Sequence, residues 1–139
     1  RPMGRSAGGV RGLRLRPNDC VVGMDIETSD GQTLLVISEK GFGKRTKAAN
    51  FPTHKRGGVG IKAAVVTAKT GPIISVQTID PGMTDAILVS QNGQTIRLSL
   101  KDIKLLGRTT QGVTIMRLDG NDAVSSIGLM EERSQSEGA

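Results

Sequence analysis

The sequence predicts an all-β protein, an array of propeller-like blades with about four antiparallel strands each. Three observations predict it. The pattern Arg-x-x-x-Gly-(Val or Ile) occurs at Arg5 to Val10, Arg56 to Ile61 and Arg108 to Val113, so the three arginines stand 51 and 52 residues apart. A fixed period of that size marks a repeat architecture. Short β-branched and aliphatic runs alternate with turn residues throughout, and four such runs fit within each period, as in a propeller blade. The chain holds ten runs, or two and a half units, at about 1–52, 53–104 and 105–130. Half a unit leaves strand edges, which proteins normally cover. Either upstream sequence or another copy is expected to supply the neighbours.

Taken in order, Arg1-Pro2-Met3-Gly4-Arg5 enters the first unit at its basic corner without an initiator Met, as a piece of a longer chain would. Val10 to Arg16 alternates, which predicts a strand with its arginines on one face. Pro17-Asn18-Asp19 turns the chain into a strand at Cys20 to Ile26. Ser29-Asp30-Gly31 leads to Thr33 to Ser38, and Lys40-Gly41 to Phe42 to Thr46. Gly60 to Thr67, Ile73 to Ile79, Ala86 to Ser90 and Thr95 to Leu100 repeat this plan. Their turns include Asp80-Pro81-Gly82 and Asn92-Gly93, a dipeptide that tolerates positive φ. Val113 to Leu118 and Ala123 to Met130 begin a third unit, and Asp122 falls 103 residues after Asp19. Residues 131–139 are small, polar and charged, the composition of a disordered tail.

Composition narrows the function. There are 2 Phe and no Trp or Tyr, so the core must be aliphatic. Single-stranded nucleic acid, which is bound largely by aromatic stacking, is therefore disfavoured; both phenylalanines fit packing roles instead. No recognition helix is predicted, which disfavours sequence reading in the major groove. The net charge is +6, a balance that favours an anionic partner. It is unevenly spread: residues 1–62 hold 12 Lys/Arg against 5 Asp/Glu, and residues 63–139 hold 7 against 8. The single cysteine, Cys20, excludes an internal disulfide and reads as a small buried residue. No run approaches membrane-spanning length and no signal-peptide pattern opens the chain. A cytosolic protein fits.

A catalytic or metal site finds no nominees. His54 has no carboxylate near it in sequence, and turn chemistry explains Asp19, Asp30, Asp80, Asp119 and Asp122. The glycine corner His54-Lys55-Arg56-Gly57-Gly58-Val59-Gly60 is the better candidate. Glycine lets the backbone approach a phosphate and present N–H groups to it, beside the charges of Lys55 and Arg56. A second phased position holds Lys44-Arg45 and then Arg97. Equivalent cations on successive blades would trace a curved basic track for a duplex, against a bending cost of about 1–6 kcal/mol for a short smooth bend. The candidate contacts are Arg5, Arg14, Arg16, Lys44, Arg45, Lys47, Lys55, Arg56, Gly57, Gly58, Gly60, Lys62, Arg97 and Arg108. A basic propeller-like scaffold for an acidic protein partner is the alternative. A steep dependence of duplex affinity on salt would separate the two.

At these residues the chain resembles the C-terminal domain of DNA gyrase A, a family folded as a six-bladed β-pinwheel. The family's gyrase box reads Gln-Arg-Arg-Gly-Gly-Lys-Gly. The central corner matches it at Arg56, Gly57, Gly58 and Gly60, with Lys55 a like-charge replacement; His54 and Val59 depart from it, so one basic group is missing. Gly41-Phe42-Gly43-Lys44-Arg45-Thr46 and Leu106 to Val113 resemble blade-joining segments of the same domain. The pattern is most similar to the last half of that domain, and the related C-terminal domain of topoisomerase IV is the second resemblance. The resemblance implies a non-catalytic part of an isomerase. It implies a rim that wraps double-stranded DNA with positive handedness and delivers a nearby segment to the cleavage core for strand passage and negative supercoiling. It further implies a heterotetramer with the rest of gyrase A and with gyrase B, in the bacterial cytoplasm at the nucleoid. No cofactor is implied in this segment; ATP and Mg belong to the holoenzyme.

Overall fold

The computed structural model describes residues 2–28 and 31–131. Ser29 and Asp30 of the expected turn, and 132–139 of the expected tail, lie outside the described residues. Among the described residues seven strands form: β1 (Thr33–Ser38), β2 (Phe42–Lys47), β3 (Ile73–Ile79), β4 (Met83–Ser90), β5 (Thr95–Ser99), β6 (Val113–Thr114) and β7 (Val124–Glu131). Two 3-10 turns, Ala48–Asn50 and Leu100–Asp102, follow β2 and β5. The named strands pair antiparallel with one another, in a four-stranded sheet ordered β3-β1-β2-β6 and a three-stranded sheet ordered β5-β4-β7.

The two sheets are copies of one plan. Each is built on a hairpin from one repeat, β1-β2 or β4-β5, flanked by a strand from the next, β3 or β7. Even the irregularity repeats: the ladder slips between Ile37 and Ser38 in one sheet and between Val89 and Ser90 in the other. The first sheet also receives β6, which follows the third corner. Successive units are thereby stitched through shared ladders.

The core lies between the sheets. Leu35 and Ile37 of β1 meet Ala86 and Leu88 of β4, with Leu100, Ile103, Met116 and Val124 around them, all buried. Alternation puts Leu35, Ile37 and Arg45 on the face toward the second sheet. Leu34, Val36, Lys44 and Thr46 take the opposite face. At the close approach of β2 to β6, Gly43 has Ile37 and Ile115 side chains where a Cβ would stand.

Three expected strands do not form. Val10 to Arg16, Cys20 to Ile26 and Gly60 to Thr67 join no ladder, because a strand requires a hydrogen-bonding partner as well as alternation. Val21, Val22, Met24 and Ile26 are exposed. Cys20 is corrected with them: it is exposed, whereas its repeat counterpart Ala123 is buried. Ala123 leads into a paired strand and Cys20 does not. The last unit also differs in its bounds. Val113 to Leu118 shortens to β6 because the Ile115 and Met116 amides both donate to the Gly41 carbonyl, bending the chain off the ladder. Glu131, expected in the tail, ends β7.

Residues 23–28 are tied to the outer edge of β3 chiefly by Asp25, whose Oδ2 accepts from the Thr78 amide and hydroxyl, both at 2.8 Å. The Thr78 amide, then its hydroxyl, then the Ile26 amide hold the Asp25 carboxyl below its ordinary value of 3.8, against a smaller opposing effect of desolvation. A carboxylate with a lowered folded pKa stabilises fully above its unfolded value, and that stabilisation is lost as pH falls through the folded one. The Asp25 to Thr78 link is therefore expected to persist at pH 3.8 and to release only in stronger acid. Amide NMR at Thr78 through an acid titration checks this, and Asp25→Asn is expected to remove the transition.

Candidate nucleic-acid interface

The central corner is a turn held against the N-terminal segment. The Gly57 amide donates to the Gly12 carbonyl at 3.0 Å, and the Arg14 amide to the Gly58 carbonyl at 2.8 Å. The glycine closing each repeated corner lies in the left-handed region, with φ of 77° at Gly9, 81° at Gly60 and 85° at Gly112. This shared geometry explains the phased glycine, since other L-residues rarely adopt it. The glycine's role is thus to make the turn. The Gly57 N–H is already engaged, which corrects the expectation that it is presented to a phosphate.

The pairing brings two basic stretches together. Arg14 and Arg16 come from one, Lys55 and Arg56 from the other, and all are exposed. Arg11, absent from the sequence-based set, is exposed beside them. No pattern in the sequence signals its neighbour, because residues 12 and 57 meet only in three dimensions. A cleft of about 400 Å³ opens here, lined by Gly12, Leu13, His54, Lys55, Arg56, Gly58, Val59 and Gly60. Among the described residues the one ion pair is Arg97 with Asp85, so none of their carboxylates forms an ion pair with these corner cations.

The other candidates scatter. Arg5, Lys47 and Lys62 are exposed. Arg108 is half-buried, donates to the Lys62 carbonyl at 3.0 Å and lies 5.9 Å from the Phe51 ring centroid. Arg97 is exposed, but its Nε donates to Asp85 Oδ2 at 2.8 Å. Its repeat counterpart Arg45 is half-buried, with Nε donating to the Ile103 carbonyl at 2.7 Å. These two phased arginines therefore have different surroundings.

Lys44 is the main correction. It is 1% exposed, and its ammonium donates within the third corner, to the carbonyls of Gly107 (2.8 Å), Thr110 (2.9 Å) and Arg108 (3.2 Å) and to the Thr110 hydroxyl (3.1 Å). Burial lowers its pKa below the ordinary 10.5. A group so enclosed is unavailable to a phosphate. It was expected on the rim because it stands at a phased basic position of the repeat, and the period does not say what covers that position.

Sheets that share strands between successive repeats, with an exposed basic corner at the repeat junction, define a propeller-like domain of the pinwheel class. The model of the DNA gyrase C-terminal domain, a beta-propeller, matches residues 1–26, 32–80 and 84–129, and the chain belongs to that family. DNA gyrase A of Staphylococcus epidermidis is 41% identical over 133 residues, 95% of this chain and 15% of that protein. Its counterpart in Aminobacterium colombiense is 41% identical over 130 residues, 94% of this chain and 16% of its own length. The chain thus spans about a sixth of these bacterial relatives. Among solved structures, a DNA gyrase A C-terminal domain matches with a TM-score of 0.65 and 25% identity, covering 71% of this chain and 33% of that one. The C-terminal domain of DNA topoisomerase IV matches with a TM-score of 0.80, over 88% of this chain and 38% of that one; at 20% identity this is a likeness of fold.

Proposed function

We propose that this chain is a DNA-binding and DNA-wrapping portion of DNA gyrase A, serving a type IIA topoisomerase that supercoils duplex DNA negatively. The observation that carries the reading is the hydrogen-bonded junction of Gly12–Arg14 with Gly57–Gly58. It brings together the stretches that carry Arg11, Arg14 and Arg16 and Lys55 and Arg56, all exposed and none in an ion pair among the described residues. Such a surface attracts the phosphate backbone independently of sequence, and the exposed Lys47 and Lys62 add positive charge elsewhere on the chain. A bend of the duplex along the chain brings more phosphates into contact, which offsets the bending cost.

In this reading the chain performs no bond chemistry; it holds duplex for a cleavage core elsewhere in the enzyme. Its partners are double-stranded DNA and, in a heterotetramer, the rest of gyrase A together with gyrase B. ATP and Mg act in that larger enzyme, in the bacterial cytoplasm at the nucleoid.

Fluorescence anisotropy with a duplex oligonucleotide over about 50 to 200 mM salt tests the binding. Each phosphate contact contributes about −0.9 to the log–log slope, so five predict a slope of about −4 to −5. No binding at the lowest salt would refute the reading. Ligation of a nicked circle with the chain bound tests wrapping, and an unchanged linking number would leave binding without wrapping.

A further inference from the structure

We infer that Lys44 is a positioning residue whose buried ammonium fixes the third corner and, through Arg108, sets the spacing between the second and third corners. The inference deepens the DNA-binding reading and rests on it for its functional consequence. Its geometry stands independently.

The corner from Gly107 to Thr110 turns its backbone oxygens inward. The carbonyls of Gly107, Arg108 and Thr110 all lie within 3.2 Å of the Lys44 Nζ, together with the Thr110 hydroxyl. An ammonium has three protons and no acceptor capacity. It suits a cage made only of oxygen acceptors. Among the described residues, no other side chain donates into the three carbonyls except the Thr110 hydroxyl, to Gly107 at 2.8 Å. Next to Lys44, Arg45 grips the segment leading into the corner. Its amide donates to the Lys104 carbonyl at 2.8 Å, its carbonyl accepts from the Leu106 amide at 2.8 Å, and its Nε donates to the Ile103 carbonyl at 2.7 Å.

On its outer side the same corner reaches back to the previous unit. Arg108 donates to the Lys62 carbonyl and covers Phe51, and the Val65 amide donates to the Thr110 carbonyl at 3.0 Å. Lys62 lies two residues beyond Gly60, the last residue of the central corner. A continuous line of bonds thus runs from the Lys44 ammonium through Arg108 to the backbone leaving the central corner.

The repeat supplies an independent argument. Ile96 holds the position of Lys44 in the next unit and packs against the inter-sheet core. The same face of the hairpin thus meets the inter-sheet core in the second unit and the third corner in the first, and the residue type changes with it. The ammonium answers a need of this corner, which is to bind its inward carbonyls, and the corner's place on the rim follows.

Lys44→Met keeps the apolar stem and removes the ammonium, leaving the carbonyls short of a donor. Spin labels on cysteines at Val59 and Thr109, with Cys20→Ser, read the spacing between corners. A narrow distance distribution is expected in the parent and a broad one in Lys44→Met. The Val65 amide, whose acceptor is Thr110, is expected to exchange about tenfold faster, while Ile87 in β4 stays protected. On duplex DNA, the linking-number change per bound chain is expected to fall while the salt slope holds. A direct phosphate contact would instead lower the slope by about 0.9 and leave the distances narrow, and that result would overturn the inference. Uniformly faster exchange, Ile87 included, would overturn it too, because it would indicate general destabilisation. Should Lys44→Met not fold, Arg108→Ala breaks the same line on the outside; broad distances would support the inference and unchanged ones would overturn it. Failure of the parent to bind duplex would sink the DNA reading, while the distances would still judge the positioning.

Discussion

Gly41→Ala is expected to destabilise the protein by roughly 2–6 kcal/mol, combining backbone strain with overpacking. Gly41 has φ of 88°, and a Cβ there would press into the carbonyl oxygen of Met116. That carbonyl is backbone and cannot rotate away. The Gly41 carbonyl also receives the amides of Ile115 and Met116, so moving the turn breaks the bonds that seat the third unit on the first. Gly93 is the internal control. It lies 52 residues later, in the equivalent hairpin turn, with φ of 90°, yet nothing lies within 4 Å of its added Cβ. Gly93→Ala should cost only the left-handed strain, about 1–2 kcal/mol. Urea denaturation of the two variants checks the difference. Equal losses would mean that the crowding at Met116 relaxes freely.

The second large effect concerns binding. Replacing Arg14, Arg16, Lys55 and Arg56 together by Gln is expected to lower duplex affinity on the order of a hundredfold or more at low salt and to reduce the salt slope by about 3 to 4. These four cations are exposed around one pair of backbone hydrogen bonds. The bonds themselves involve no side chain, so the corner should survive the substitutions. A matched set away from the corner, Lys40, Lys69, Lys101 and Arg117 to Gln, removes the same formal charge from exposed positions. Its effect should be much smaller. Equal losses from both sets would mean diffuse attraction to a basic protein and would dismiss the corner as a site. Arg56→Ala alone should weaken binding only modestly, since it removes one contact of several. Lys44 belongs in neither set, because its loss would disturb the corner rather than subtract a surface charge.

What can be read from the sequence here is what the repeat makes local. The phased Arg-x-x-x-Gly pattern marked three turns, and all three closing glycines adopt the left-handed conformation that reserves such places for glycine. Aliphatic runs next to strong turns became the hairpins β1-β2 and β4-β5, because each finds its partner a few residues away. The all-β class and the copying of one sheet plan by another follow from the same regularity.

Only the tertiary structure decided what each face and edge meets. Cys20 and Ala123 occupy one repeat position, yet one is exposed and the other buried, since only Ala123 leads into a paired strand. Arg45 and Arg97 likewise share a position, but one bonds a backbone carbonyl and the other a carboxylate. Lys44 stands at a phased basic position of the repeat, but its cover is a corner more than sixty residues away along the chain. The central corner owes its exposed cluster of cations to a partner segment that is likewise remote in sequence. Local patterning sets φ, ψ and the direction of each side chain; burial and charge pairing depend on long-range contacts, to which a 52-residue period gives no register. The sequence by itself thus determined a repeated β architecture with basic corners. The fold decided which cations remain at the surface and which one was drawn inside to hold a corner in place.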